Sequence, residues 1–255
     1  MLDVGGESTR PGAARVSAAD QISRVVPIIE AIRSHQDEHV SGIPISVDTT
    51  RAAVARAAID AGADAINDVS GGTEDPELLA VAAASGAGLV LMHRAQAPPS
   101  DRYADEYQRE PTYEGGVVAV VREFLQSQAE RAIAAGIAPE CLVVDPGLGF
   151  GKSVPQNLEL LRAGRAMSTS DVPVYIGASR KRFVGRLSIT GPSDPEDRLA
   201  GSIAATILGA LAGAVLHRVH DVAEHVQALS VLAAWNEPEG RGVYLGSPCG
   251  PDTCG

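Results

Sequence analysis

Carboxylates, an amide and a set of cations recur in this sequence at one kind of place, immediately after a short apolar run. These run ends read DVGGESTRPGA from Asp3, SVDTT at Asp48, INDVSGG at Asn67 and Asp68, LMHR at His93, VVDPGLGFGK at Asp145, IGASRKRF from Ser179 to Phe183, and LHRVHDV at Arg218 and His220. Asp48 and Asp145 are acceptors suited to a flat ring edge that presents adjacent N–H donors, paired by charge-assisted hydrogen bonds. Asn67 can meet an edge of mixed donors and acceptors. Arg10, Arg180, Lys181, Arg218 and His220 form the complementary half, in a chain whose formal net charge is -11. An anion such as phosphate or pyrophosphate must be met locally by that cluster, because the surface as a whole repels it. Glycines at 5, 6, 71, 72, 147, 149 and 151 allow close backbone approach to a ligand, though glycine after a strand is also ordinary turn chemistry.

Each residue has a plainer role to set against this one. An Asp or Asn after a strand often caps the next helix, but the Pro-Gly that follows Asp145 argues against a simple cap there. Cations at a helix start, as Arg180 and Lys181 are placed, are unfavourable unless an anion is near. Arg218 and His220, two apart, share one side of an extended strand and so face one ligand. His93 reads as structural, and the acidic, Tyr-containing run 101–113 as a solvated loop.

The elements that carry these ends alternate. Apolar, β-branched runs at 2–4, 43–47, 65–69, 88–92, 142–144, 174–176 and 214–219 are separated by longer Ala-rich segments of helical period. In the segment 19–34, Ile22, Val25, Val26, Ile29 and Ile32 fall on one face, with Arg24, Glu30 and Arg33 elsewhere. Such βαβ alternation over 255 residues suits a single (β/α)8 TIM barrel, whose strand ends converge on one face, better than a doubly wound sheet. One domain is expected over 1–236, with a polar, Gly/Pro-rich and disordered tail over 237–255. With 45% hydrophobic residues but no run long enough to span a bilayer and no signal-like start, the chain reads as globular and cytoplasmic, without a membrane partner. Cys141, Cys249 and Cys254 do not suggest a disulfide framework, and the negative charge opposes nucleic-acid binding.

The fragments DVGGESTRPGA, SVDTT, INDVSGG, DPGLGFGK, GASRKRFVG and RVHDV together resemble, in order and spacing, the dihydropteroate synthase family of pterin-binding enzymes, from Asp3 to about Val222. Corrinoid-linked methyltransferases share the Asp and Asn set, but are not expected to carry the ESTRPG, SRK and R-x-H elements together. The resemblance implies condensation of 6-hydroxymethyl-7,8-dihydropterin diphosphate with 4-aminobenzoate to 7,8-dihydropteroate and pyrophosphate, with Mg2+ on the pyrophosphate oxygens. By position it implies that Asp48, Asn67, Asp145, Lys181 and Arg218 hold the pterin. Arg10, Arg218 and His220 would take the pyrophosphate, and Thr9, Pro11, Phe150 and Ser179 the aminobenzoate. Lys181, Arg218 and His220 carry the catalytic roles, and a homodimer through late helices is implied, for which the segment 201–213 is suited.

Two departures set further expectations. Arg94 stands where the family continues Met-His-Met, altering a wall of the pterin pocket or the local alignment. The family's opening strand and loop, resembling N-V-T-P-D-S-F-S-D-G, has no counterpart, so a barrel without its first strand is expected, as from a truncated gene model or fragment. The Asn that holds the metal would lie in that segment, and no metal ligand is identifiable here. An active synthase restored by that segment, a methyltransferase, and an inactive pterin-binding barrel are the three readings this leaves.

Overall fold

Strands of a barrel turn one face to the helices and one to the interior, and polar residues are tolerated inside only where they meet each other or a ligand. A computed structural model of the chain describes residues 1–168, 172–189 and 191–236. In order they form β1 (Leu2–Gly5), α1 (Ala18–Arg33), α2 (Glu38–Ser41), β2 (Ile45–Asp48), α3 (Ala52–Asp60), β3 (Ala65–Asp68), α4 (Glu77–Ser85) and β4 (Gly88–Met92). There follow α5 (Val117–Ala134), β5 (Leu142–Asp145), α6 (Val154–Ala163), β6 (Tyr175–Ile176), α7 (Arg182–Arg186), α8 (Leu199–Leu211), β7 (Leu216–His217) and α9 (Val222–Asn236). The tail expected over 237–255, with Cys249 and Cys254, lies outside the described residues.

All pairings are parallel. β1 to β5 make one sheet in sequence order and β6–β7 a second, joined by a single bridge between Val144 and Val174. The register places Asp3 beside Ser46, and Asp48 beside both Gly5 and Asn67. Because side chains alternate, Ile45, Val47, Ile66, Leu89, Leu91, Leu142 and Val144 all face the helices, and each is at most 1% exposed. Burying a side chain of this size contributes roughly 1.5–3 kcal/mol, so this layer anchors the strands that carry the polar interior. Helix starts are fixed locally: the Ser17 hydroxyl accepts from the Asp20 N–H at α1, and Ser153 with Gln156 forms a capping box at α6.

The parallel α/β architecture, the count of about seven strands and an arc that does not close all agree with the expectation of a barrel without its first strand. Among the described residues β1 pairs only with β2 and β7 only with β6, so the barrel is open between its first and last strands. The arc still curves far enough for Arg218, just past β7, to reach Asp3 on β1 at 2.8 Å. The last strand is also shorter than 214–219, two residues against six, as expected of an edge with one partner. No described helix is long and apolar enough to cross a membrane.

Candidate active site at the strand ends

Asp48 and Asp145 end β2 and β5, and Asn67 stands one residue before the end of β3, all on the interior face. Burial pushes the Asp48 carboxyl up to about 7; nearby Asp3, then Asp68 and Glu7, add to the rise, and Arg218 opposes it. Asn67 is buried and donates from Nδ2 to Asp3 Oδ2 at 3.2 Å. Asp145, also buried, accepts the Gly147 N–H at 2.7 Å; burial raises its pKa, against Lys181 and that hydrogen bond. Asp68, by contrast, turns toward the helix side and accepts from Ser70 and Gly72, so it builds its own turn.

The Lys181 ammonium donates to the Leu148 carbonyl and lies 4.6 Å from the Phe150 ring centroid. Burial lowers its pKa to about 8, with Asp145 opposing that fall. The turn beneath it needs glycine: Gly147 has φ +67°, and a Cβ there would lie 1.9 Å from the His93 carbonyl oxygen. Lys152, wholly buried, knots that turn to β4 by donating to the carbonyls of Gly147 and Phe150, both at 2.9 Å, and meeting His93 Nδ1 at 3.0 Å. Burial drives the His93 pKa down to about 2, so its ring accepts from Lys152 and packs edge-on to Phe124, the structural role expected of it.

Across the mouth, Arg218 contacts Asp3 through Nε, and its guanidinium is otherwise without a hydrogen bond among the described residues. His220 meets Ser179 Oγ through its backbone N–H at 3.2 Å and Nδ1 at 3.1 Å. Burial, then Arg218 and Arg180, lowers its pKa, and Arg10 on the first loop adds to that effect from the same rim. Arg180, within electrostatic reach of His220, also forms an ion pair with Asp221 and sits in the left-handed region at φ 58°. Thr9 and Arg94 line a small cleft with Asp48 and Thr50. Arg94 is engaged with Glu74 at 2.5 Å.

Asp3, Tyr175 and Lys152 escaped the sequence reading, and all three touch or surround the site. Tyr175, the inward residue of β6, stands within electrostatic reach of Asp145, Asp3, Arg218 and Asp48. The signal for Asp3 was its parity, a lone carboxylate inside an apolar strand. The run 101–113 is also more than a solvated loop. Tyr113 donates to the Gly151 carbonyl at 2.8 Å, and Asp105 pairs with Arg182 at 2.9 Å while Arg182 covers Tyr103, so the segment is strapped over the later strand ends.

Against known proteins, a profile described as pterin binding enzyme matches residues 1–220. The dihydropteroate synthase of Mycobacterium leprae is 43% identical over 239 residues, 92% of this chain and 80% of that one. The Escherichia coli K12 dihydropteroate synthase is 40% identical over 234 residues, 92% and 77% of the two chains. Burkholderia cenocepacia dihydropteroate synthase complexed with 7,8-dihydropteroate superposes with TM-score 0.81 at 40% identity, covering 93% of this chain and 82% of that chain. Xanthomonas albilineans dihydropteroate synthase with 4-aminobenzoic acid does so with TM-score 0.80 at 42%, covering 92% and 79%.

Proposed function

The chain belongs to the family of pterin-binding enzymes, and from that premise we propose that it is a dihydropteroate synthase, a transferase joining 6-hydroxymethyl-7,8-dihydropterin diphosphate to 4-aminobenzoate with release of pyrophosphate. The observation that carries this is the convergence of Asp48, Asn67 and Asp145 on one interior floor, with Lys181 and Arg218 beside them. In this reading the two carboxylates and the amide accept and donate along the pterin edge. A ring that donates two N–H groups to Asp48 favours its ionised form and so draws its pKa back down. Lys181 and Phe150 bound the pocket toward the aminobenzoate, together with Thr9, Pro11 and Ser179.

The C–O bond to the diphosphate breaks as the ring supports positive charge on its methylene, and the amine nitrogen of aminobenzoate then forms the new bond and loses a proton. The protein's share is to stabilise departing negative charge, which fixed cations do without reorganising. In this reading Arg218, Arg10 and His220 supply that stabilisation. His220, whose pKa is lowered, would accept a proton on binding a pyrophosphate oxygen. The Mg2+ that the resemblance brings finds no ligand set of its own here: no group of three His, Cys, Asp or Glu suited to a metal occurs among the described residues, and the rim is cationic. A cytoplasmic, homodimeric enzyme completes the proposal.

The test is pyrophosphate release from the pterin diphosphate, aminobenzoate and Mg2+, paired with fluorescence titration of 6-hydroxymethylpterin. Asp145→Asn is expected to weaken ring binding about 10- to 100-fold, the range for losing charged hydrogen bonds. Failure of the unaltered chain to bind the ring at all would sink the reading.

A further inference from the structure

Asp3 sits where β1 faces β7 across the open side of the barrel, and three groups converge on its carboxylate. Oδ1 accepts from Ser46 Oγ at 2.7 Å, while Oδ2 accepts from Asn67 Nδ2 at 3.2 Å and from Arg218 Nε at 2.8 Å. The side chain is only 14% exposed, and Arg218 is 43% exposed. Two of those three partners belong to the proposed ligand sets, one for the ring and one for the diphosphate, and they come from separate strands, Asn67 from the middle of the β1–β5 sheet and Arg218 from just past β7. We propose that Asp3 is the positioning residue that couples the two halves of the site, fixing the amide of Asn67 toward the ring and the fork of Arg218 toward the leaving group.

An Asn amide is useful in ring recognition only if its oxygen and nitrogen are not free to exchange places, and a carboxylate can only accept. By taking the Nδ2 proton, Asp3 fixes which end of Asn67 is which. Holding Arg218 by Nε leaves both terminal nitrogens, the end that grips a phosphate bidentately, pointing away from Asp3. Carboxylate placement next to an anion site would otherwise be unfavourable, since it repels the ligand. Orientation is the benefit that offsets that repulsion.

This rests on the proposed function, and substitutions at Asp3 separate the two. Asp3→Asn keeps an oxygen to accept from Asn67 and Arg218 but removes the charge; Asp3→Ala removes both. If Asp3 positions its partners, Asp3→Ala lowers affinity for 6-hydroxymethylpterin and for pyrophosphate, each by about tenfold or more, the scale of one oriented charged hydrogen bond. Asp3→Asn restores most of it. A purely electrostatic role predicts the reverse for pyrophosphate, tighter binding in both variants.

A second readout is the pH dependence of ring binding. Asp48 is faced by Asp3 and Glu7 from β1 and its loop, Asp68 from β3, Tyr175 from β6, and Arg218 from beyond β7. Removing the Asp3 charge relieves one repulsion, so the acid limb of ring binding should move to lower pH in Asp3→Asn. An Asp3→Ala protein that binds both probes like the unaltered chain, a gain in pyrophosphate affinity, or an unmoved acid limb would each overturn the proposal. An unaltered chain that binds neither probe would overturn the proposed function and this inference with it.

Discussion

Asp48 shows at the scale of one residue how a binding site trades stability for recognition. Its carboxyl keeps a proton up to about pH 7 in the folded chain, against an ordinary value of 3.8, chiefly through burial and the neighbouring Asp3. Between those two values the folded state holds a proton that the unfolded chain has lost, so stability falls as pH rises through that window. A neutral amide of the same shape escapes that cost. Asp48→Asn should therefore be on the order of 1–2 kcal/mol more stable than the unaltered chain at pH 7 in urea unfolding, with the difference vanishing toward pH 4. Ring binding should be lost in the same protein. Equal urea midpoints at pH 7 would show that Asp48 is not held protonated. Asp48, Asn67 and Asp145 could all be read from the sequence, because a polar residue ending an apolar run must face either a helix N-terminus or the barrel mouth. Asp3, a lone carboxylate inside such a run, could be read only as facing the interior, since its role depends on Arg218, which is 215 positions away.

The turn that follows β5 is the element on which the pocket depends most. It is held by Lys152, which is 0% exposed yet donates to carbonyls of Gly147, Phe150 and His93 and meets His93 Nδ1. Burial lowers the Lys152 pKa to about 7. With the folded value below the ordinary 10.5, the unfolded chain binds the extra proton, and this group's contribution to stability rises with pH from about 7 to about 10.5. Replacing a buried cation with an apolar chain can stabilise a protein, but here Lys152→Met would leave several buried acceptors unpaired at about 1–3 kcal/mol each, and that loss should win. We expect a net loss of about 2–4 kcal/mol in urea unfolding, with weakened ring binding because Phe150 and Lys181 ride on the same turn. A variant as stable as the parent would mean that water replaces the ammonium. Strands and helices here were legible from period and punctuation, whereas the straps over the mouth were not. Tyr113, Asp105 and Glu110 carry no periodic signal, and their partners Gly151, Arg182 and Ser153 lie at least 38 positions away.

At the scale of the molecule, the last two helices leave several large apolar side chains exposed. α8 presents Ser202, Ala205, Thr206 and Gly209 to the protein body, the small-residue face that lets it pack closely. Its other face carries Leu208 and Leu211, 55% and 60% exposed, one turn apart. α9 packs against α8 and adds Val231 and Trp235, 67% and 81% exposed. The Ala/Gly/Leu-rich segment 201–213 had suited either a buried helix or an interface, and the structure shows it serving the first on one face while leaving the second open on the other. Large apolar side chains exposed on two packed helices of a chain of net charge -11 suit an interface, and a second copy offering the same helices about a two-fold axis would cover them. Like charges elsewhere on the surface disfavour random association, which favours a face of this kind for the meeting of two copies. The unaltered chain is therefore expected to sediment as a dimer, and Leu211→Glu, which brings two carboxylates toward each other across the axis, as a monomer at micromolar concentration. Because the strand ends lie at a different part of the molecule, the variant should keep its affinity for 6-hydroxymethylpterin within about twofold, as expected for sites that share no partners. A monomeric parent, or a Leu211→Glu protein that still dimerises, would remove α8 and α9 as the interface.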